Sequence, residues 1–148
     1  MTETEAKAFL QGLRSTARQI AEKDRVLQLM RTRLTLSSGQ NNTPRVKASP
    51  DPGLERIMCV VLDLEAEKKA LEKEFIRDRE LTLRCLSRIQ RGQYCEVLFF
   101  RYICAESWNT VCLKMHLSRP RVMRLHRQAV AIFAYELDRC LKRYIEDT

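Results

Sequence analysis

The sequence predicts an all-α protein, on three observations. Helix-forming Leu, Arg, Lys, Glu and Gln are abundant, while glycine and proline number only four each. Apolar residues recur at helical rather than strand spacing along two long segments. One polar segment, carrying three of the four prolines, separates them.

The first segment, 1–36, reads as a long N-terminal helix. Thr2 or Thr4 can cap it, with Glu3 and Glu5 favourable at the positive helix end. Ala6, Leu13, Ile20, Leu27 and Leu34 recur every seven residues, and Phe9, Leu10, Ala17 and Met30 widen the stripe. Such a stripe calls for a partner helix. Glu22 and Asp24 interrupt the polar face, which argues against a basic helix lying on a membrane surface. Residues 37–53, SSGQNNTPRVKASPDPG, read as a flexible linker in which no helix persists.

The second long helix spans 54–91 and would serve as scaffold and oligomerisation surface. Leu54, Ile57, Met58, Val61, Leu64, Leu71 and Phe75 share a stripe, continued after a slip near Asp78 by Leu83, Leu86 and Ile89. The run 65–74 is a solvated face in which Glu65 and Lys69 stand in the favourable i,i+4 order. Gly92 follows a basic last turn, as a helix stop should.

The last unit, 92–148, begins with a short helix through Tyr94, Val97, Leu98, Tyr102 and Ile103. Ser107 caps the next helix, which ends near Met115. Ser118 caps a third, with Pro120 in its first turn. Residues 107–127 therefore read as a helix-turn-helix with a core of Trp108, Val111, Cys112, Met115, Leu117, Val122 and Leu125. Cys112 is the small residue wanted where two helices cross. His116 stands where the turn needs a positive φ, a conformation His tolerates better than β-branched residues do. At 100° per residue, Val122, Leu125, Ala129 and Ile132 face inward, while Arg119, Pro120, Met123, Arg124 and Arg127 face outward. His126 flanks the packed face, and the helix continues through Val130, Phe133, Leu137 and Leu141.

Charge supports this division. The net charge is +8, and no Asp or Glu occurs from 107 to 135, where Lys114, Arg119, Arg121, Arg124 and Arg127 lie. Arginine can match the two acceptors of a guanine edge or clamp phosphate. The amides opening the third helix favour phosphate as well.

The segment QYCEVLFFRYICAESWNTVCLKMHLSRPRVMRLHRQAV resembles region four of bacterial sigma factors, with Val97, Leu98, Arg101, Tyr102, Trp108, Val111, Ser118, Arg119, Val122 and Ala129 at the matching places. The layout of nearly the whole chain resembles phage transcriptional regulators of the ArpU and RinA type. The resemblance implies sequence-specific binding of double-stranded DNA by a recognition helix, 118–134, in the major groove. It implies base reading by Arg119, Pro120, Met123 and Arg124. Pro120 replaces the acidic residue of sigma region four and Met123 an arginine, so a different target sequence is expected. Lys114, Ser118, Arg121 and Arg127 are the expected phosphate contacts. The long helices would form a homo-oligomer, and host RNA polymerase is a further candidate partner. The alternatives are a DNA-recognition subunit of a phage packaging machine and a protein-interaction module.

Other classes find no support. No catalytic constellation or phosphate-cradling glycine loop occurs, and His116 and His126 lack the nearby carboxylates of a catalytic or metal site. No cofactor is expected. Cys59, Cys85, Cys95, Cys104, Cys112 and Cys140 form no CxxC pair and read as reduced, mostly buried thiols. Without a membrane-spanning run or signal peptide, the expected location is the cytoplasm of a bacterial host, at the nucleoid.

Overall fold

A computed structural model of the chain describes residues 1–39 and 52–147, and among these every regular element is helical. The helices are α1 (Glu3–Gly39), α2 (Pro52–Leu86), α3 (Gly92–Leu98), α4 (Trp108–Met115) and α5 (Arg119–Glu146), with a π-helical turn, Phe99–Ile103, between α3 and α4. The chain divides into two compact units, Met1–Arg18 with Glu74–Thr148, and Gln19–Lys73.

Both ends of the linker expected over 37–53 are helical. α1 reaches Gly39 and α2 begins at Pro52, while 40–51 lie outside the described residues. Proline opens a helix easily, because the N–H it lacks has no intrahelical partner there and its φ is already helical.

In the unit 19–73, the second part of α1 lies beside the first part of α2. Leu27 and Val61 are buried, with Ile20, Met30, Leu34, Ile57, Leu64 and Leu71 half-buried around them. Three ion pairs cross between the helices, Lys23–Glu67 at 2.9 Å, Asp24–Lys68 at 2.8 Å and Arg31–Glu65 at 2.6 Å. Exposed pairs of this kind stabilise by at most about 1 kcal/mol each, so they set register more than stability. Two details differ from the sequence reading. Glu65 pairs across to Arg31 rather than along its own helix to Lys69, and Met58 is 52% exposed, off the packed stripe.

The unit formed by 1–18 and 74–148 holds the larger core. Ala6 and Leu10 of α1 meet Cys85 and Leu86 of α2, and α3, α4 and α5 complete the cluster with Val97, Leu98, Val111, Val122, Phe133 and Leu137. The rings of Phe9 and Phe133 stack at 6.4 Å. α1 opens with a reciprocal cap, in which the Glu5 amide donates to Thr2 Oγ1 at 3.2 Å and the Thr2 amide donates to Glu5 Oε2 at 2.8 Å. The Thr2 N–H holds the Glu5 carboxyl below its usual range.

The end of α2 departs from expectation. Leu83 is exposed, and Thr82 and Cys85 are buried instead. The Thr82 hydroxyl is satisfied by donating to the Asp78 carbonyl one turn back, at 2.8 Å. The helix stops at Leu86, tightened by Arg88 N–H to Cys85 O and Ile89 N–H to Leu86 O, both 3.1 Å. Gly92 is no left-handed stop: it has no positive φ and begins α3. The Cys95 thiol donates to the carbonyls of Leu86 and Ile89, at 3.3 and 3.4 Å. The cysteines, too, are less buried than expected: Cys85 is buried, Cys59 and Cys104 are exposed, and the other three are half-buried.

Phe133→Ala should lower the unfolding free energy by about 3–5 kcal/mol in urea titrations, because the vacated core volume cannot fully close. Leu36→Ala, at a position 61% exposed, should change it by less than about 0.5 kcal/mol.

Candidate nucleic-acid interface

Local chemistry fixes the two helices at 108–146. Ser107, with extended backbone, accepts from the Thr110 amide at 3.3 Å and so caps α4, as its sequence predicts. α4 ends at His116, which adopts the left-handed conformation, φ 56° and ψ 40°. The Leu117 amide reaches back to Cys112 O at 3.2 Å and the His116 amide to Leu113 O at 3.3 Å. This pair of bonds is a Schellman stop built on histidine in place of glycine. It turns the chain within three residues, so that α5 begins at Arg119.

Ser118 has N-cap geometry, but its hydroxyl makes no capping bond, contrary to expectation. Pro120 lies in the first turn, as its sequence position predicts. The first turn of α5 also contains no acidic residue. Ser118, Arg119, Pro120 and Arg121 are all exposed there, at the positive end of the helix dipole.

The expected core residues come together. Val111 and Val122 are fully buried, Leu125 is 7% exposed, and Trp108, Cys112, Met115 and Leu117 pack around the cluster. Ala129 is buried as expected, and Ile132 is half-buried. On the other side of α5, Arg119, Pro120, Arg121, Arg124 and Arg127 are exposed and Met123 is half-buried. Arg119 donates to Asn109 Oδ1 of α4 at 3.3 Å, which steadies its guanidinium at the joint of the two helices. Arg121, Arg124 and Arg127 form no ion pair among the described residues. Beside Arg119, a groove of about 590 Å³ runs along Asn109, Cys112, Leu113, His116 and Leu117.

Lys114 is placed differently from the arginines. Its ammonium bonds Glu106 at 2.7 Å and lies 5.4 Å from the centre of the Phe100 ring. The acid-free stretch 107–135 begins one residue too late to show this partner. Lys7 of α1 was not apparent from the sequence either. It lines a cleft of about 310 Å³ together with Glu3, His126 and Arg127. Only the docking of α1 on α5 brings it there, and no linear pattern announces that.

Below the arginine face lies a polar joint. His126 is buried, not a flank, and its Nε2 is 2.6 Å from the Tyr102 hydroxyl. Its ring meets Trp108 edge-on at 4.8 Å. Position 126 falls four after Val122 and three before Ala129, a spacing that already places it on the inward side. Burial is the main cause that pushes the imidazole down to about 4, with Lys7 and Arg101 adding to it. Arg101 is held beside this joint, its guanidinium 4.4 Å over the Trp108 ring and donating to Glu106 O at 2.9 Å. It thereby ties down the connection into α4, where Ala105 takes a positive φ of 56°. Ahead of that connection, the π-helical turn closes with Cys104 N–H to Phe99 O at 3.0 Å.

No family model, no curated protein and no solved structure matches the chain.

Two consequences of the joint are measurable. The neutral His126 is favoured in the fold, so the unfolded chain binds the extra proton between about pH 6.5 and 4. Its contribution, on the order of 3 kcal/mol, is complete above pH 6.5 and disappears as the pH falls towards 4. In His126→Leu, denaturation series across that range should show a shallower loss of stability than the parent. At the turn, His116→Val should destabilise by about 1–2 kcal/mol, since a β-branched residue resists the left-handed region, whereas His116→Gly should not destabilise.

Proposed function

We propose that this chain is a sequence-specific DNA-binding protein, a phage transcriptional regulator whose α5 enters the major groove with its N-terminal turns. The observation that carries the reading is the outward side of α5. Arg119, Arg121, Arg124 and Arg127 stand exposed there without ion-pair partners among the described residues, on a helix whose other side is locked into a core. Arginines left without acidic neighbours raise one another's electrostatic energy, and a polyanion relieves that cost. The uncapped first turn adds amide donors for phosphate. The resemblance to sigma region four and to ArpU- and RinA-type regulators supports the same reading and supplies the phage context.

Within this reading, Arg119 and Arg124 face base edges, with Pro120 and Met123 filling space between them. Arg121, Arg127 and Ser118 meet phosphates, and Lys7 extends the phosphate track beside Arg127. Lys114 contributes less, because contact with DNA would compete with Glu106. Two copies held together by the long helices would place two recognition helices on repeated half-sites.

Selection of bound fragments from genomic DNA, followed by gel shifts on the recovered site, tests the proposal. Arg124→Ala should relax preference at one base position and weaken the selected site by about 1–3 kcal/mol. Arg127→Ala should weaken all sequences alike and lower the salt slope by about 1. Lys114→Ala should change affinity less than Arg127→Ala. Equal binding by the parent and both arginine variants, or no salt-sensitive binding at all, would overturn the reading.

A further inference from the structure

The end of α2 and the last turns of α5 meet at a cleft that the DNA reading does not use. Its volume is about 360 Å³, near the lower bound of the roughly 300–1,000 Å³ of small-ligand sites. Arg84, Arg88 and Arg143 line it, together with Leu81, Tyr144 and Asp147. Arg84 stands in the last turn of α2, Arg88 in the turn that follows, and Arg143 in the last turn of α5. All three arginines are exposed. Among the described residues none of them forms an ion pair. The backbone that carries two of them is held in place: Ser87 Oγ donates to Arg84 O at 2.7 Å and Arg88 N–H to Cys85 O at 3.1 Å.

A cation is favourable at the negative end of a helix, which accounts for Arg84 and Arg143 one at a time. It does not account for a third guanidinium, Arg88, at the same opening. Three like charges around one cleft repel one another, and an anion among them relieves that cost. Guanidinium groups match phosphate oxygens in particular, two N–H donors at a time. The other walls narrow the choice. Tyr144 is 68% exposed, and with the half-buried Leu81 it offers an aromatic and apolar surface suited to a flat base. Asp147 repels a bare phosphate, but its carboxylate accepts from sugar hydroxyls. We propose that this cleft binds a ribonucleoside monophosphate, its phosphate among Arg84, Arg88 and Arg143 and its base against Tyr144.

The backbone of a DNA duplex carries phosphate too, and two features favour the free nucleotide. Along α5, Arg143 lies about 36 Å beyond Arg119, so the cleft does not continue the face that opens the helix. A duplex also keeps its bases stacked inside and has no 2′-hydroxyl, leaving Tyr144 and Asp147 nothing to recognise. A ribonucleotide uses all three kinds of wall: cationic, aromatic and acceptor.

This inference does not rest on DNA binding. Full-length protein titrated calorimetrically should bind adenosine 5′-monophosphate more tightly than inorganic phosphate, and adenosine without its phosphate should give no measurable binding. Arg88→Ala and Arg143→Ala should each weaken the nucleotide about tenfold. Tyr144→Ala should weaken it several-fold while leaving inorganic phosphate unchanged. All three positions are exposed, so unfolding curves of the variants should match the parent. A nucleotide bound no better than inorganic phosphate, or bound equally by the parent and both arginine variants, would overturn the site. Gel shifts separate the two sources of phosphate. Duplex binding that falls in Arg143→Ala, with no nucleotide bound by the parent, would assign the cleft to the DNA backbone and overturn the proposal.

Discussion

Burial of one side of α5 is the constraint from which the larger unit follows. From Val122 through Ala129 and Phe133 to Leu137, this 28-residue helix keeps a single stripe out of water. Each remaining element of the unit covers part of that stripe. α4 covers its beginning, α3 its middle, and the first turns of α1 with the last turns of α2 close the rest of the cluster. Fixing one side so firmly determines the other. The arginines at the start of α5 cannot turn inward without withdrawing a buried valine or phenylalanine, which would cost several kcal/mol. A cationic surface is thus maintained by an apolar one.

The interior also contains polar groups, and most are satisfied. Thr82 returns its hydroxyl to its own helix, and Tyr102 and His126 satisfy each other. A network of this kind specifies packing, since an alternative arrangement would strand a buried hydroxyl or imidazole. Glu136 breaks the pattern with an unpaired buried oxygen.

Much of this was legible in the sequence. The seven-residue recurrence from Ala6 to Leu34 gave α1, because helical geometry imposes that spacing wherever one side is buried. Ser107 and His116 gave the limits of α4, because caps and left-handed stops depend on one residue's local chemistry. What stayed hidden depends on contacts between distant segments. Lys7 reaches Arg127 only through the docking of α1 on α5. Leu83 yields its expected place to Thr82 and Cys85 once α5 packs there. The π-helical turn and the positive φ of Ala105 have no residue signature. The Thr2–Glu5 cap is a different case: its spacing was plain in the sequence, and only the reciprocal bonding was missed.

Trp108 is the chain's single tryptophan, and it sits edge-on to His126 where α4 crosses α5. The molecule thus carries its own fluorophore at the joint that orients its cationic helix. Whatever shifts that joint, whether a ligand, a partner or a proton on the imidazole, changes the polarity and quenching around one indole ring. Movement of the helix can therefore be followed by light emission from the unlabelled protein.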